Sequence, residues 1–275
     1  MKRILLVPAL LLVLFTTAFS QEDKSHKSSS KSSGGFYFSW GYHHDDYSKS
    51  TIHFKDSKTE DYDFTLYHAK AKDKPDMHRL INTPLTVPQY VMTLGYFFTK
   101  KKDWGVEISW NHLKYVVHDN QMMHMRGQIN EVYYDKDTLV TPSFVHFEHT
   151  NGNNYLIASV VKRFNFLQSR NGQHALSLNF RLGGGVLIPK TDSYIMGLHN
   201  DGPFRVSGIV VGTGAGLRYD FFKYFFIEPS IKTSFADYTN AKLYLTGRAD
   251  HHFVSNQYII ALGFNIPNNL FSSRN

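Results

Sequence analysis

Apolar residues alternate with polar or small ones along most of this chain, and the alternation is clearest between Val206 and Ile266. Ile209, Val211, Thr213, Ala215, Leu217, Tyr219 and Phe221 share one parity, with Gly208, Gly212, Gly214, Gly216 and Arg218 on the other. Phe225, Ile227, Ile231 and Phe235 oppose Glu228, Ser230, Lys232 and Ser234. Val254, Tyr258, Ile260, Leu262, Phe264 and Ile266 oppose Ser255, Gln257, Ala261, Gly263 and Asn265. A period of two predicts strands, and runs of about ten residues match a tilted strand crossing a bilayer.

Earlier parts of the chain repeat the pattern. Phe36 to Tyr42 reads as a first strand, Thr51 to Lys55 as a short second and Asp61 to Tyr67 as a third. Further strands follow at Tyr90–Phe98, Trp104–Trp110, Leu156–Phe166 and Leu176–Ile188. Near His112 the apolar residues move to the other parity, through Leu113, Tyr115 and Val117, which predicts a bulge or an exit from the bilayer. Lys70 to Pro88 reads as a loop, and Lys100–Asp103 and Asn171–Gly172 as tight turns. Long polar connections are expected at 118–154, 189–205 and 236–253. Short and long connections alternate, as periplasmic turns and extracellular loops do in outer-membrane barrels. The expectation is an all-β, antiparallel, up-and-down transmembrane barrel over 36–266, with ten strands, or eight if residues 36–55 do not form a strand pair. A soluble lipocalin-like barrel or sandwich is the alternative, with the apolar parity turned inward.

The ends of the chain place this barrel. Lys2 and Arg3, an apolar run from Ile4 to Phe15 and the small residues of Ala18-Phe19-Ser20 have the layout of a cleaved secretory leader over 1–20. Residues 21–35 are Ser- and Lys-rich and read as a flexible segment; 267–275 form a tail. The expected location is the bacterial outer membrane. Cysteine is absent, which excludes disulfides, thiolate chemistry and a lipobox anchor. The formal charge of +7, less 2 for the leader, leaves +5. That mild excess suits anionic lipid or polysaccharide and argues against nucleic acid.

With its leader, paired strands and aromatic final strand Gln257–Ile266, the chain resembles small outer-membrane β-barrels such as the membrane domain of outer-membrane protein A. The Gln21 start and the phrase Phe147-Glu148-His149-Thr150-Asn151-Gly152 are similar to uncharacterised barrels of Bacteroidetes-type envelopes. The resemblance implies a monomer in contact with outer-membrane lipid and lipopolysaccharide, inserted by the barrel-assembly machinery through the last strand. It carries no catalytic motif, and no cofactor is expected.

Candidate chemistry is sparse. Asp63, Glu107, Asn179, Arg181, Arg218, Glu228 and Lys232 fall on the polar parity and are expected to form a salt-bridged plug, because charges away from water must be paired. His43, His44, Asp45 and Asp46 end the first strand, and Asp250, His251 and His252 begin the last. Closure would set the two groups face to face, with donors suited to zinc or copper; the other reading is hydrated loop residues. His146 and Glu148 share a parity and could act as base and orienter with Ser109 or Ser159 as nucleophile, although no Gly-x-Ser-x-Gly signature is present. The glycines at 183–185, 208, 212, 214 and 216 lack a phosphate-loop ending and read as relief of crowding.

Overall fold

A computed structural model describes residues 35–74, 88–98 and 103–267. The leader, nearly all of the 21–35 segment and the tail beyond Pro267 lie outside the described residues, as do 75–87 of the expected loop, residue 99 and 100–102 of the expected turn. The described chain holds fifteen strands. They are β1 (Gly35–Tyr47), β2 (Ser50–Asp56), β3 (Tyr62–Ala69), β4 (Ala71–Lys72), β5 (Tyr90–Phe97), β6 (Trp104–Val117), β7 (Gln121–Ile129) and β8 (Val132–Val140). There follow β9 (Val145–Gln168), β10 (Ala175–Pro189), β11 (Asp192–Ile195), β12 (Leu198–Asp201), β13 (Gly208–Phe221), β14 (Phe225–Lys242) and β15 (Arg248–Pro267).

Eight of these close a ring in the order β1, β5, β6, β9, β10, β13, β14, β15 and back to β1, every pair antiparallel. This is the smaller of the two strand numbers the sequence allowed. The strands β2 and β3 do not enter the ring. Ser255–Pro267 of β15 pairs with β1, whereas its outer part, Arg248–His252, pairs with β2. One strand therefore serves both the ring and an extension above it.

The ring geometry follows from the register. Stepping across paired residues from Phe36 through Tyr96, Val106, Val160, Leu182, Thr213, Thr233 and Asn256 returns to β1 at Asp46, and 46 less 36 is a stagger of ten. Eight strands with that stagger tilt by roughly 40° and leave an interior that side chains fill. With this tilt, outward-facing Phe36, Phe98, Trp104, Phe164, Tyr219, Phe225 and Phe264 come to about one height, an aromatic girdle at the end with the short turns.

Burial decides which face is which. Leu182, Ile260, Leu262, Ile209 and Ile108 are among the most exposed side chains, while Glu107, Asn179, Ser177, Arg218, Gln257 and Ser255 are buried. The apolar parity thus faces out, which is the membrane arrangement and the reverse of a lipocalin. Above Tyr42, Phe235 and Val254 the outward positions turn polar at His44, Asp237 and His252, where the belt ends.

Beyond the belt the two faces exchange character. On β6 the inward parity runs Glu107, Ser109, Asn111, Leu113, Tyr115, Val117 without reversing. The sequence change near His112 is therefore the exit from the bilayer. The one irregularity here lies in the pairing with β9, where Leu113 faces Asn153 but Tyr115 faces His149, two residues against four. The interior now becomes an apolar core of Phe54, Phe64, Leu66, Leu113, Tyr115, Phe147, Tyr238 and Phe253. Two sheets build it: β14-β15-β2-β3-β7-β8, and β6 and β9 with β11, β12 and β4. The segments expected to be irregular loops at 118–154, 189–205 and 236–253 are thus largely strand. Their frequent charges obscured an alternation that has one face in this second core, such as Met123 and Met125 on β7. β9 at 24 residues and β15 at 20 are about twice the length a bilayer needs.

Candidate functional site

The lumen is the most elaborated polar region. At the girdle end it has a floor of alternating aromatic rings and guanidinium groups. The Arg163 guanidinium lies 3.9 Å from the centre of the Phe97 ring, and Phe97 stacks on Tyr37 at 5.2 Å. Arg218 lies 5.2 Å from the Tyr37 ring and 3.3 Å from Phe226. Five strands contribute one side chain each, and all five side chains are buried. Arg218 is also clamped by Asp220 at 2.8 Å and donates to Asn265 at 2.6 Å.

A second tier sits above this floor. Arg181 bridges two carboxylates, Glu107 at 3.0 Å and Glu228 at 2.5 Å. Asn179 donates to Glu228 at 3.0 Å and accepts from Arg163 at 3.1 Å, and Tyr37 donates to Glu107 at 2.8 Å. Lys232 donates to Asn111 at 2.7 Å. A cavity of about 30 Å³ remains between Ser39, Thr93, Glu107, Arg181, Glu228 and Lys232, room for a water or two.

Of the expected lumen residues, Glu107, Arg181 and Glu228 share one network, with Arg218 below it and Lys232 above. Asp63 is not there: it stands on the outer face of β3, half-exposed, paired with Lys55 and His53, each at 2.7 Å. Its alternation matches that of a ring strand, but β3 pairs with β2 and β7 above the ring. Reading by charge alone passed over Tyr37, Phe97, Asn111, Arg163, Asp220 and Phe226. Tyr37 and Arg163 could have been found from their place on the polar parity.

The two histidine groups lie on neighbouring strands but at different heights. His43 pairs with Ile259, eight residues along β15 from His251. His43 is buried against Asp45 at 3.1 Å, while His44 points outward to Asp73 at 2.5 Å. His251 is buried in the outer core, its Nε2 3.2 Å from His149 Nε2, while Asp46 and His252 are exposed. Among the described residues no three histidines or carboxylates converge as a metal site. Burial pushes the His149 imidazole down to about 3, and burial with the neighbouring His149 puts His251 well below its ordinary value.

His146 and Glu148 do meet, at 3.6 Å, and His146 also contacts Asp119 at 2.8 Å. Thr150 donates to Glu148 at 2.5 Å. Bonding to Glu148 outweighs desolvation and, with Asp119, raises His146 to about 9. Burial opposes ionisation of Glu148, but His146, Thr150 and Lys74 hold its carboxyl below the usual range. His146 is therefore an imidazolium at neutral pH. Ser109 and Ser159 face the lumen, with Ser159 thirteen residues along β9 from His146, of order 40 Å for an extended strand.

No family model matches the chain, and no curated protein matches it. Among solved structures it is similar to Neisserial surface protein A, with a TM-score of 0.37 and 10% identity over 84% of this chain and 96% of that one. Ail of Yersinia pestis in a lipid nanodisc gives 0.33 and 16%, over 85% and 99%. AlkL in lipid bilayers gives 0.38 and 10%, over 93% and 100%. These scores are low, and the barrel assignment rests on the strand pairing and the exposed apolar belt.

Proposed function

We propose that the chain is an integral outer-membrane barrel of non-enzymatic role, contributing to envelope integrity or surface interaction through its outer sheets. The observation that carries this reading is the division of the molecule into a plugged ring and a large folded extension. The floor of Arg163, Phe97, Tyr37, Arg218 and Phe226, with the Glu107–Arg181–Glu228 tier above it, packs the lumen with paired side chains, which supports a plug over a pore. The polar investment beyond the membrane is in sheets with their own core. The protonated state of His146 and its distance from the lumen serines argue against the hydrolase reading.

On this proposal the long strands point out of the cell, and the leader over 1–20 is removed on export. The barrel is a monomer, inserted by the assembly machinery and surrounded by phospholipid and lipopolysaccharide. The Bacteroidetes-type affinity belongs to the same proposal.

The test is membrane fractionation with gel mobility of unboiled and boiled protein, followed by planar-bilayer recording. The expected result is outer-membrane sedimentation, a heat-dependent mobility shift and no discrete conductance steps. Steady conductance would replace the reading with a narrow channel. An altered lipid A acyl pattern on deletion would replace it with a lipid-modifying enzyme. Tight zinc binding lost in a His43→Ala, His251→Ala double variant would favour metal capture.

A further inference from the structure

Three cations that form no ion pair within 4 Å among the described residues gather above the outer rim: Arg205 in the 202–207 connection, Lys242 at the end of β14 and Arg248 at the start of β15, with Asp56 acting on Lys242 and Asp250 on Arg248 from farther off. Their neighbours are neutralised, Lys190 by Asp201 at 2.9 Å and Lys55 by Asp63 at 2.7 Å. Register brings the three together. Lys242 pairs with Arg248, and the amide of Thr239 donates to Ser207, which lays the connection carrying Arg205 along β14. Arg248 is fixed by donating to the Thr246 and Gly247 carbonyls, at 3.1 and 3.0 Å. The carboxylate of Asp56 lies nearby: its Oδ1 accepts from the amides of Lys58 and Thr59 and the Thr246 hydroxyl, while its Oδ2 is buried without a hydrogen-bond partner and the group attracts Lys242. Lys242 is held below its ordinary value by partial burial and then by Arg248 and Arg205, with Asp56 opposing them.

An apolar foot adjoins the cations. Phe204 and Val206, 52% and 58% exposed, flank Arg205 and continue the lipid-facing Ile209 and Val211 upward. The Phe204 ring rests over Gly152, where φ is +140° and an added Cβ would stand 2.5 Å from the ring. A side chain at 152 would displace Phe204.

Cations standing just above exposed apolar residues at a belt edge match the headgroup boundary of an anionic lipid. We infer that this corner docks an anionic glycolipid of the outer leaflet, with Phe204 and Val206 against its acyl chains and Arg205, Lys242 and Arg248 on its phosphates. The inference rests on the proposed reading that the long strands face the cell exterior.

The test uses full-length protein in detergent micelles, titrated with bisphosphorylated lipid A and read by native mass spectrometry. The parent protein should retain lipid A. An Arg205→Gln, Lys242→Gln, Arg248→Gln variant should retain it about tenfold more weakly or worse, as should the parent in high salt. Lipid A stripped of phosphate should bind the parent as weakly as intact lipid A binds the variant. Phe204→Ser should fall between. Equal retention by the triple variant, or equal binding of stripped lipid A, overturns the site. Heat-modifiability is run on the same samples. A variant that shifts like the parent but loses lipid A concerns this corner, and a parent that shows no shift concerns the barrel itself. Should the triple variant fail to fold, the single Lys242→Gln variant and the salt titration of the parent decide.

Discussion

Tyr37 and Glu107 are joined across a strand that belongs to neither. The phenol donates to the Glu107 carboxylate at 2.8 Å, passing over Gly95 of β5, and Tyr37, Gly95 and Glu107 form one cross-strand row. A Cβ at 95 would stand 2.1 Å from the phenol ring. The ring cannot simply swing aside, because Phe97 and Arg218 lie against it. Gly95→Ala should therefore break the hydrogen bond and disturb the floor, costing about 2–3 kcal/mol in urea unfolding from micelles. Tyr37→Phe keeps the packing and should cost about 1.5 kcal/mol. Equal stability of Gly95→Ala and the parent would sink this account.

Arg181 holds Glu107 and Glu228 together across the lumen. Arg181→Met would leave two buried carboxylates facing each other, at a cost of about 3–5 kcal/mol. Adding Glu228→Gln to that variant should recover part of the loss, because one uncompensated charge is removed. A double variant no more stable than the single one would show that the carboxylates are not coupled through Arg181.

The outer sheets should show opposite pH limbs. His146 is raised to about 9 by Glu148 and Asp119, so its contribution is full below its unfolded value near 6.5 and fades as pH rises toward 9. The loss is about 3 kcal/mol as an upper bound. His149, lowered to about 3, and His251, also held well below its ordinary value by burial, act the other way. Their unfolded forms bind protons first, so stability drops as pH falls from about 6.5 toward 3. Amide protection in β9 and β15, taken as the exchange rate relative to the intrinsic rate at each pH, should therefore be greatest near pH 6.5. His146→Gln should flatten the alkaline limb and leave the acid limb, and His149→Phe should do the reverse.

Ile260 and Leu182 are 62% and 70% exposed in the middle of the apolar belt. If lipid covers them, Ile260→Arg should reduce folding into phosphatidylcholine vesicles by about 2–4 kcal/mol. On a soluble protein the same change at an exposed site would be nearly neutral. Unimpaired insertion of Ile260→Arg would contradict the membrane-facing assignment.

Much of the candidate chemistry was legible as residue type and parity, but not as partnership. Glu107, Arg181 and Glu228 stood out because charges opposite apolar runs must face a lumen or a core. Asp63 has the same local pattern and stands outside, since β3 pairs with β2 and β7 above the ring. His43 and His251 stand on strands that closure makes neighbours, yet the stagger separates them by eight residues.

The sequence by itself determined that this chain forms strands with one apolar face, where most of the ring strands run, and that polar side chains would share an interior. Those are local properties, because the backbone alone sends successive side chains to opposite faces. The tertiary structure decided that eight strands close the ring, that the long polar segments pair into sheets over a second core, and that Tyr37 reaches Glu107 across Gly95. Each of these depends on which strand lies beside which and at what register. Residues 70 positions apart become neighbours through pairing that alternation permits and does not specify.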